Sequence, residues 1–414
     1  MQRHSRSLFP LLLTIFLDVV GLGIAIPILA ILFIGETQSI LPSTIDPRLR
    51  PLLYGVLIAA YPFAQFFGAP ILGALSDHRG RKKLLLLSLA GTAVGYALFA
   101  VGILMRSIPL LLCSRLIDGF TGGNISIAQS AMADTNDRDS KTRAFGLMGM
   151  TFGLGFILGP MLGGVLADPS IVSWFSPAVP FWFATLLTLI NMLLLQTFFH
   201  ETLHTRVRTK VTALTGIRNV RKAFTTPGLR LIFGVLFLFF LGTNIFHQFF
   251  QIYLVQRFSF DQGDIGLVFG YIGFCIAVAQ GVIVRPVSRH FTPTQVLRVS
   301  IAGVGLVLPL LLLSTNPAWL VVILPFTALF QGLTFPNATA LVSNMTGKES
   351  QGEGLGLNQS IQAFSQMLPP IFAGAVAFLH PNLPIIAASV AILSAWLVFI
   401  IFFVPEKVKP FHEV

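Results

Sequence analysis

Long apolar runs dominate this chain and set the terms for everything else. Twelve of them follow one another, at 8–34, 51–75, 84–105, 108–133, 144–167 and 179–199, then at 230–256, 264–284, 294–314, 317–345, 354–379 and 384–404. Each accommodates a helix of about 20 residues, the length that crosses the hydrocarbon core of a bilayer. They are too long and too uniform for barrel strands, which alternate over about ten residues. Only 10% of the residues are charged, 54% are hydrophobic, and the mean hydropathy is +0.81. A water-soluble chain of this size lacks the charge to cover so much apolar surface. A soluble enzyme, a disordered chain and a disulfide scaffold are therefore excluded. The first run carries Asp18 and Pro27 and is too long for a cleavable leader peptide.

The net charge of +11 would suggest nucleic acid in a soluble protein. Its distribution follows the loops instead. With the N-terminus inside, 22 of the 27 Lys and Arg fall in cytoplasmic segments, the asymmetry that sets membrane topology. Both termini are then cytoplasmic, in a bacterial-type inner (plasma) membrane. The expected partners are membrane lipids, protons and a small-molecule substrate, with no nucleic acid. The longest polar interval, His200–Arg230, divides six spans from six. The expected organisation is an N-terminal six-helix bundle (1–199), a cytoplasmic linker (200–229) and a C-terminal six-helix bundle (230–414). Within the linker, Val211–Phe224 reads either as a short basic amphipathic helix on the membrane surface or as a plain basic connection. Two pseudo-symmetric halves suggest a transporter with its substrate site between them near mid-membrane. Cys113 and Cys275 lie in apolar spans and read as small core residues. Metal-ligand spacings, a nucleophile elbow and a phosphate-binding loop are missing from the sequence. No cofactor, no metal and no enzymatic activity are therefore expected.

Four motifs carry the chemistry. Between spans two and three the chain reads Gly73-Ala-Leu-Ser-Asp77-His-Arg79-Gly80-Arg81-Lys82-Lys83. Gly73 suits a close approach of two helices, Gly80 a tight turn, and the basic run a positive-inside anchor. In span four, Arg115, Asp118, Gly119 and Gly122 fall at i, i+3, i+4 and i+7, on one helix face. Charges in a span are costly and are usually paired towards a cavity. They read as a proton relay or gate, or as an ion pair that only secures packing. Span five repeats glycine at Gly155, Gly159 and Gly163, with Pro160 among them, a smooth face interrupted by a kink-prone residue. Span one carries Leu17-Asp18-Val-Val-Gly21-Leu-Gly23-Ile-Ala-Ile-Pro27. Its unpaired acid suits a proton carrier, or a structural bond to a neighbouring helix.

These motifs resemble those of the major facilitator superfamily, and specifically the tetracycline-resistance-like branch of its twelve-span drug:proton antiporters. The loop at Gly73–Lys83 is similar to the family's signature loop, the Arg115 stretch to the motif of proton-coupled members, and the Gly–Pro pattern of span five to the antiporter motif of drug exporters. The resemblance runs on through Phe258–Asp261, Ile265-Gly266, Gln280-Gly281, Asn337, Ser343 and Gln351-Gly352. It implies an all-α membrane fold of twelve helices in two six-helix bundles, monomeric, exporting a small organic molecule in exchange for protons by alternating access. It also implies that Asp77 faces the start of span eleven and that Arg81 pairs with Asp134, a latch that closes the cytoplasmic side in one state. Proton entry would neutralise Asp18 or release a contact between Asp18 and Arg115. The tetracycline pumps use ionisable residues in spans three, eight and nine. Span three here has none, and spans eight and nine have no buried acid or His, so their coupling network does not carry over.

The second half contributes polar stripes of its own. Asn244, His247, Gln248 and Gln251 share one face of span seven. Asn358, Gln359, Gln362, Ser365 and Gln366 share one side of span eleven, and span ten adds Gln331, Thr334 and Asn337. Amides facing lipid would lack partners, so these stripes should face inwards. They either bond helix to helix or line a polar substrate cavity, joined by Tyr61 and Gln65 of span two. His247 reads as a titrating group or as a hydrogen-bonded neutral imidazole. The competing functions are a dedicated exporter of a polar metabolite such as a siderophore, a proton-coupled uptake symporter, and a non-transporting receptor on the same fold.

Overall fold

The computed structural model describes residues 2–35, 39–42, 45–135, 138–203, 215–345, 351–370 and 379–403. The described residues form helices joined by short turns. They are α1 (Gln2–Ile34), α2 (Arg50–Arg79), α3 (Arg81–Leu104), α4 (Ile108–Thr121), α5 (Asn124–Thr135), α6 (Arg138–Ala167), α7 (Val179–Phe198), α8 (Thr215–Thr225), α9 (Arg230–Phe258), α10 (Gln262–Val278), α11 (Val284–His290), α12 (Pro293–Val307), α13 (Ala318–Met345), α14 (Gln351–Met367) and α15 (Leu383–Phe402). Among the described residues, nine helices are long and apolar enough to cross a membrane.

The departures from uniform spans have local causes. Span four is two helices, because Gly122-Gly123 breaks it after Thr121. Glycine is the weakest non-proline helix former, and side chains take up the backbone freed at the break. Gln65 Nε2 donates to Gly122 O at 3.1 Å, and Ser88 Oγ donates to Thr121 O. Span eight continues from α10 through a π-helical turn, Ala279–Ile283, into α11. Span nine ends in a 3₁₀ segment, Leu308–Leu313, that begins beside Pro309. The basic linker does form a helix, α8, with Gly216 and Ala223 buried and Arg218, Arg221, Ile217 and Phe224 exposed.

Helix α4 shows why the surroundings must be apolar. Leu111, Ser114, Arg115, Asp118 and Gly119 are buried. The opposite stripe, Cys113, Leu116, Ile117 and Phe120, is exposed. A polar inside with an apolar outside reverses the soluble pattern and fits a lipid environment. The expected core position of Cys113 is thus corrected: it lies on the outer apolar stripe.

The chain divides into two compact units. The first comprises Met1–Arg50, Leu57–Thr215 and Phe260–Tyr271; the second comprises Pro51–Val56, Gly216–Ser259 and Ile272–Val414. In the first, α1 packs along α6, and a hydrophobic core gathers Leu11, Ile15, Leu72, Leu85, Ile127 and Phe199. In the second, α9 packs on α15 and α14, and α12 on α13. Cross-helix bonds reinforce these contacts: Ser389 Oγ donates to Gly305 O at 2.7 Å, and Tyr253 OH to Leu311 O at 2.8 Å.

Candidate functional site

The first unit buries an ionic cluster. Asp18 and Asp118 are 3% and 2% exposed, and Arg115 is 2% exposed. Arg115 Nη2 lies 3.5 Å from Asp118 Oδ2, one helical turn along α4. Its guanidinium also sits 4.3 Å from the Phe99 ring centroid, with Phe181 at 5.8 Å and Tyr61 at 6.0 Å. Aromatic faces stabilise a buried cation that has one long ion pair. Asp18 has a different partner from the expected Arg115. Asn124 Nδ2, at the first residue of α5, donates to Asp18 Oδ1 at 3.0 Å. Among the described residues no ion pair joins Asp18 to Arg115. The geometry explains this: Asp118 is on Arg115's own helix, one turn away, and takes the cation.

Tyr61 and Gln65 belong to this unit. Gln65 Nε2 lies 3.3 Å from Tyr61 OH while bracing the span-four break. The backbones here are close. A Cβ at Gly119 would strike the Tyr61 carbonyl, and one at Gly68 the Phe120 carbonyl. Two residues not expected from the sequence complete the cluster: Asn124, and Tyr96 on α3, whose hydroxyl lies against Gly21. The available signal was a polar residue directly after a Gly–Gly break in a span.

The signature loop closes on itself. Arg81 Nη1 is 2.5 Å from Asp77 Oδ1 and donates to Ser76 Oγ at 2.6 Å. Gly80 adopts φ +104°, a conformation that glycine alone adopts readily. Beyond it, Glu201 caps α3, accepting from Arg81 N at 2.9 Å and Lys82 N at 3.2 Å, a favourable site for an anion. The side chain of Asp134 lies outside the described residues, so its expected pairing with Arg81 does too. A Cβ at Gly73 would meet Ser126 Oγ at 3.5 Å, and one at Gly123 would meet Ala69 Cα at 2.7 Å.

The span-five glycines form two contact faces. Cβ atoms at Gly155, Gly159 and Gly163 would meet Val19 Cβ at 2.7 Å, Gly23 Cα at 2.9 Å and Ile24 O at 2.6 Å, all on α1. On another side of α6, a Cβ at Gly266 would meet Pro160 O at 2.6 Å, and one at Gly164 would meet Gln262 O at 2.6 Å. Helix α6 is thus wedged between α1 and the start of α10.

The second unit holds the amides. His247 Nε2 is 2.9 Å from Gln331 Oε1. Gln248 Nε2 donates to Gln366 O at 3.3 Å, and Gln251 Nε2 donates to Gln248 O at 3.1 Å. Gln251 Nε2 also donates to Tyr54 OH, which itself donates to Gln248 O at 2.7 Å. These backbone acceptors fix the amide orientations. Gln248 Oε1, Gln251 Oε1, Gln331 Nε2 and Asn358 Oδ1 remain buried without partners. Asn337 turns back to its own helix, donating to Leu333 O at 2.8 Å, and Thr334 bonds Ser300 across helices at 2.8 Å. Asn244 and Gln362 are half-buried. The structure thus gathers His247, Gln248, Gln251 and Gln331 with Tyr54, and it uses Asn337 internally. The side chain of Gln359 lies outside the described residues.

Comparison with known proteins fits this arrangement. The Major Facilitator Superfamily profile matches residues 11–294 and 232–413. The class E tetracycline resistance protein of Escherichia coli is 30% identical, over 89% of this chain and 87% of its own. The quinolone resistance protein NorA of Staphylococcus aureus is 27% identical, over 93% of each chain. The crystal structure of the human organic anion transporter MFSD10 superposes with a TM-score of 0.71 at 23% identity, covering 96% of this chain and 99% of that one. With its apolar helices, ionic cluster and signature loop, the chain is an integral membrane protein and belongs to the Major Facilitator Superfamily, as a drug:proton antiporter-like transporter related to the tetracycline resistance proteins.

Proposed function

We propose that this protein exports a small organic molecule in exchange for protons, by alternating access, across a bacterial inner membrane. Twelve spans in two six-helix halves, 1–199 and 230–414, with both termini and the 200–229 linker on the cytoplasmic side and a monomeric state, make up the proposed architecture. The observation that carries the reading is the buried ionic cluster of the first unit. Asp18 is a lone acid in an apolar helix, bonded to an amide and not to a cation, so it can take up and release a proton without breaking an ion pair. Arg115 and Asp118 tune the charge around it. A proton that binds one conformation better than the other shifts the population between inward- and outward-open states. The loop pair Asp77–Arg81, with Asp134, latches the cytoplasmic side, and Gly155, Gly159, Pro160 and Gly163 hold the helix packing that an exchanger requires.

The relatives' names, tetracycline and quinolone resistance, support drug export. The deciding experiment is Asp18→Asn in proteoliposomes under an imposed pH gradient. Gradient-driven transport falls to the leak rate; unimpaired transport removes Asp18 from coupling. The direction of labelled-substrate flux separates export from uptake.

A second reading concerns the cargo. The amides around His247 favour a polar metabolite. Asn244, Gln331, Asn337, Asn358 and Gln362 complete the proposed substrate contacts of the second unit. A ligand screen by thermal shift, repeated with His247→Ala and Gln362→Ala, tests them. Shifts that survive both changes move the cavity elsewhere.

A further inference from the structure

The ionic cluster contains a detail that a lone carboxylate does not explain. Asn124 offers one amide hydrogen to Asp18 Oδ1 at 3.0 Å. The two remaining oxygens of the pair, Asp18 Oδ2 and Asn124 Oδ1, are both buried and both lack a partner. Each is an acceptor while Asp18 is ionised, so neither can satisfy the other. A buried acceptor without a donor costs about 1–3 kcal/mol.

We infer that Asp18 and Asn124 together form the proton site, closing an acid–amide ring when the proton arrives. The proton comes from hydronium, which is left as water, and bonds to Asp18 Oδ2. The new O–H donates to Asn124 Oδ1, while Asn124 Nδ2 continues to donate to Asp18 Oδ1. Both orphaned oxygens are then satisfied by one proton, and no other bond is made or broken. With both carboxylates ionised, Asp18, Asp118 and Arg115 carry one net negative charge; protonation brings the cluster to zero.

Other charged and titratable groups face this site from the elements packed around it. Asp118 and Arg115 face it from α4, Tyr61 from α2 and Tyr96 from α3. The described part of α6 that packs on α1 has no ionisable side chain, and neither does α7. Asn124 is the first residue of α5, directly after the Gly122-Gly123 break. Ring closure therefore adds a second bond between the start of α5 and α1, beside the break in span four. Asn124 is thus a positioning residue that converts a proton on α1 into a restraint on span four. This rests on the reading of Asp18 as the coupling residue.

The test needs no substrate. Infrared difference spectra of the full chain in detergent, titrated with acid, report each carboxyl that becomes protonated. One carboxyl band, present in the wild type, disappears in Asp18→Asn. Asn124→Leu keeps that band but changes its frequency and moves its pH midpoint by about one unit, the equivalent of one hydrogen bond. Asn124→Asp preserves the volume should the leucine variant fold poorly. There two carboxyls share one proton, and the band titrates in two steps. A band whose frequency and midpoint ignore both Asn124 variants overturns the acid–amide site and leaves Asp18 as a solitary carrier. Loss of no band in Asp18→Asn overturns the coupling reading itself.

Discussion

The polar groups buried in the first unit include two carboxylates and a guanidinium, whereas the polar cluster of the second is made of amides, hydroxyls and one imidazole. Asp18, Asp118 and Arg115 are at most 3% exposed, and each needs a partner that answers its charge. Gln248, Gln251, Gln331 and Asn358 carry no charge; Gln248 and Gln251 donate to backbone carbonyls, and Gln331 bonds to His247. Breaking a buried charge pair leaves an uncompensated ion; breaking an amide bond leaves a dipole. Under the proposed function, the first unit responds to protons, and the second offers hydrogen bonds that a neutral or polar ligand exchanges without large electrostatic change.

The largest effect should come from Arg115. Arg115→Met leaves Asp118 buried without its cation, a change that costs about 3–5 kcal/mol. The expected result is a steep fall in the thermal midpoint in detergent, with more than half recovered by adding Asp118→Asn. The matching change in the second unit, Gln331→Leu, removes only the bond to His247, on the order of 1 kcal/mol. Equal losses for the two variants would break the comparison.

Packing follows next. Gly159→Val forces a branched side chain into Gly23 and Val20 of α1, and overpacking of this kind costs about 1–3 kcal/mol. Gly242→Val does the same in the second unit, against Ala388 O at 2.6 Å. Gly153 and Gly234 have nothing within 4 Å of an added Cβ, so their alanine variants should match the wild type in thermal midpoint. If Gly159→Val is tolerated, the α1–α6 seam is not the close contact that the structure describes.

How much of this was legible beforehand depends on the kind of signal. Spans were visible because lipid requires long apolar runs, and the Arg115–Asp118 pair because helical spacing places them together. The turn at Gly80 followed from residue type. The partner of Asp18 was not legible, since the separation of 106 residues from Asn124 is closed only by tertiary packing. Nor was the second face of α6, because a glycine pattern shows that something approaches closely but not what. The split of span four was written in Gly122-Gly123, yet the length of 108–133 suited a single crossing helix.

A third test separates the two units by pH. His247→Ala and Gln251→Leu should weaken ligand binding by about tenfold, the equivalent of one hydrogen bond, and leave the pH profile of transport where it was. Asn124 variants should do the reverse. Crossed effects, with His247→Ala moving the pH profile, would place proton handling in both units.

The smallest effect concerns basic side chains outside both sites. In the first unit Arg81 is tied down by Asp77 and Ser76. In the second, Arg218 and Arg221 stand exposed on α8, a helix whose sequence contains no acid. Its three faces are distinct: Gly216 and Ala223 pack inwards, Ile217 and Phe224 form an apolar edge, and the arginines lie beyond that edge. Such a helix suits the boundary between acyl chains and anionic headgroups, where each basic residue contributes on the order of 1 kcal/mol at low salt. Arg218→Gln with Arg221→Gln should therefore lower the thermal midpoint in vesicles rich in phosphatidylglycerol and leave it unchanged in phosphatidylcholine. The difference should vanish at high salt, because screening removes attraction beyond a few ångströms. A loss that is the same in both lipids would mean that these arginines serve packing within the second unit, as Arg81 serves its own loop in the first.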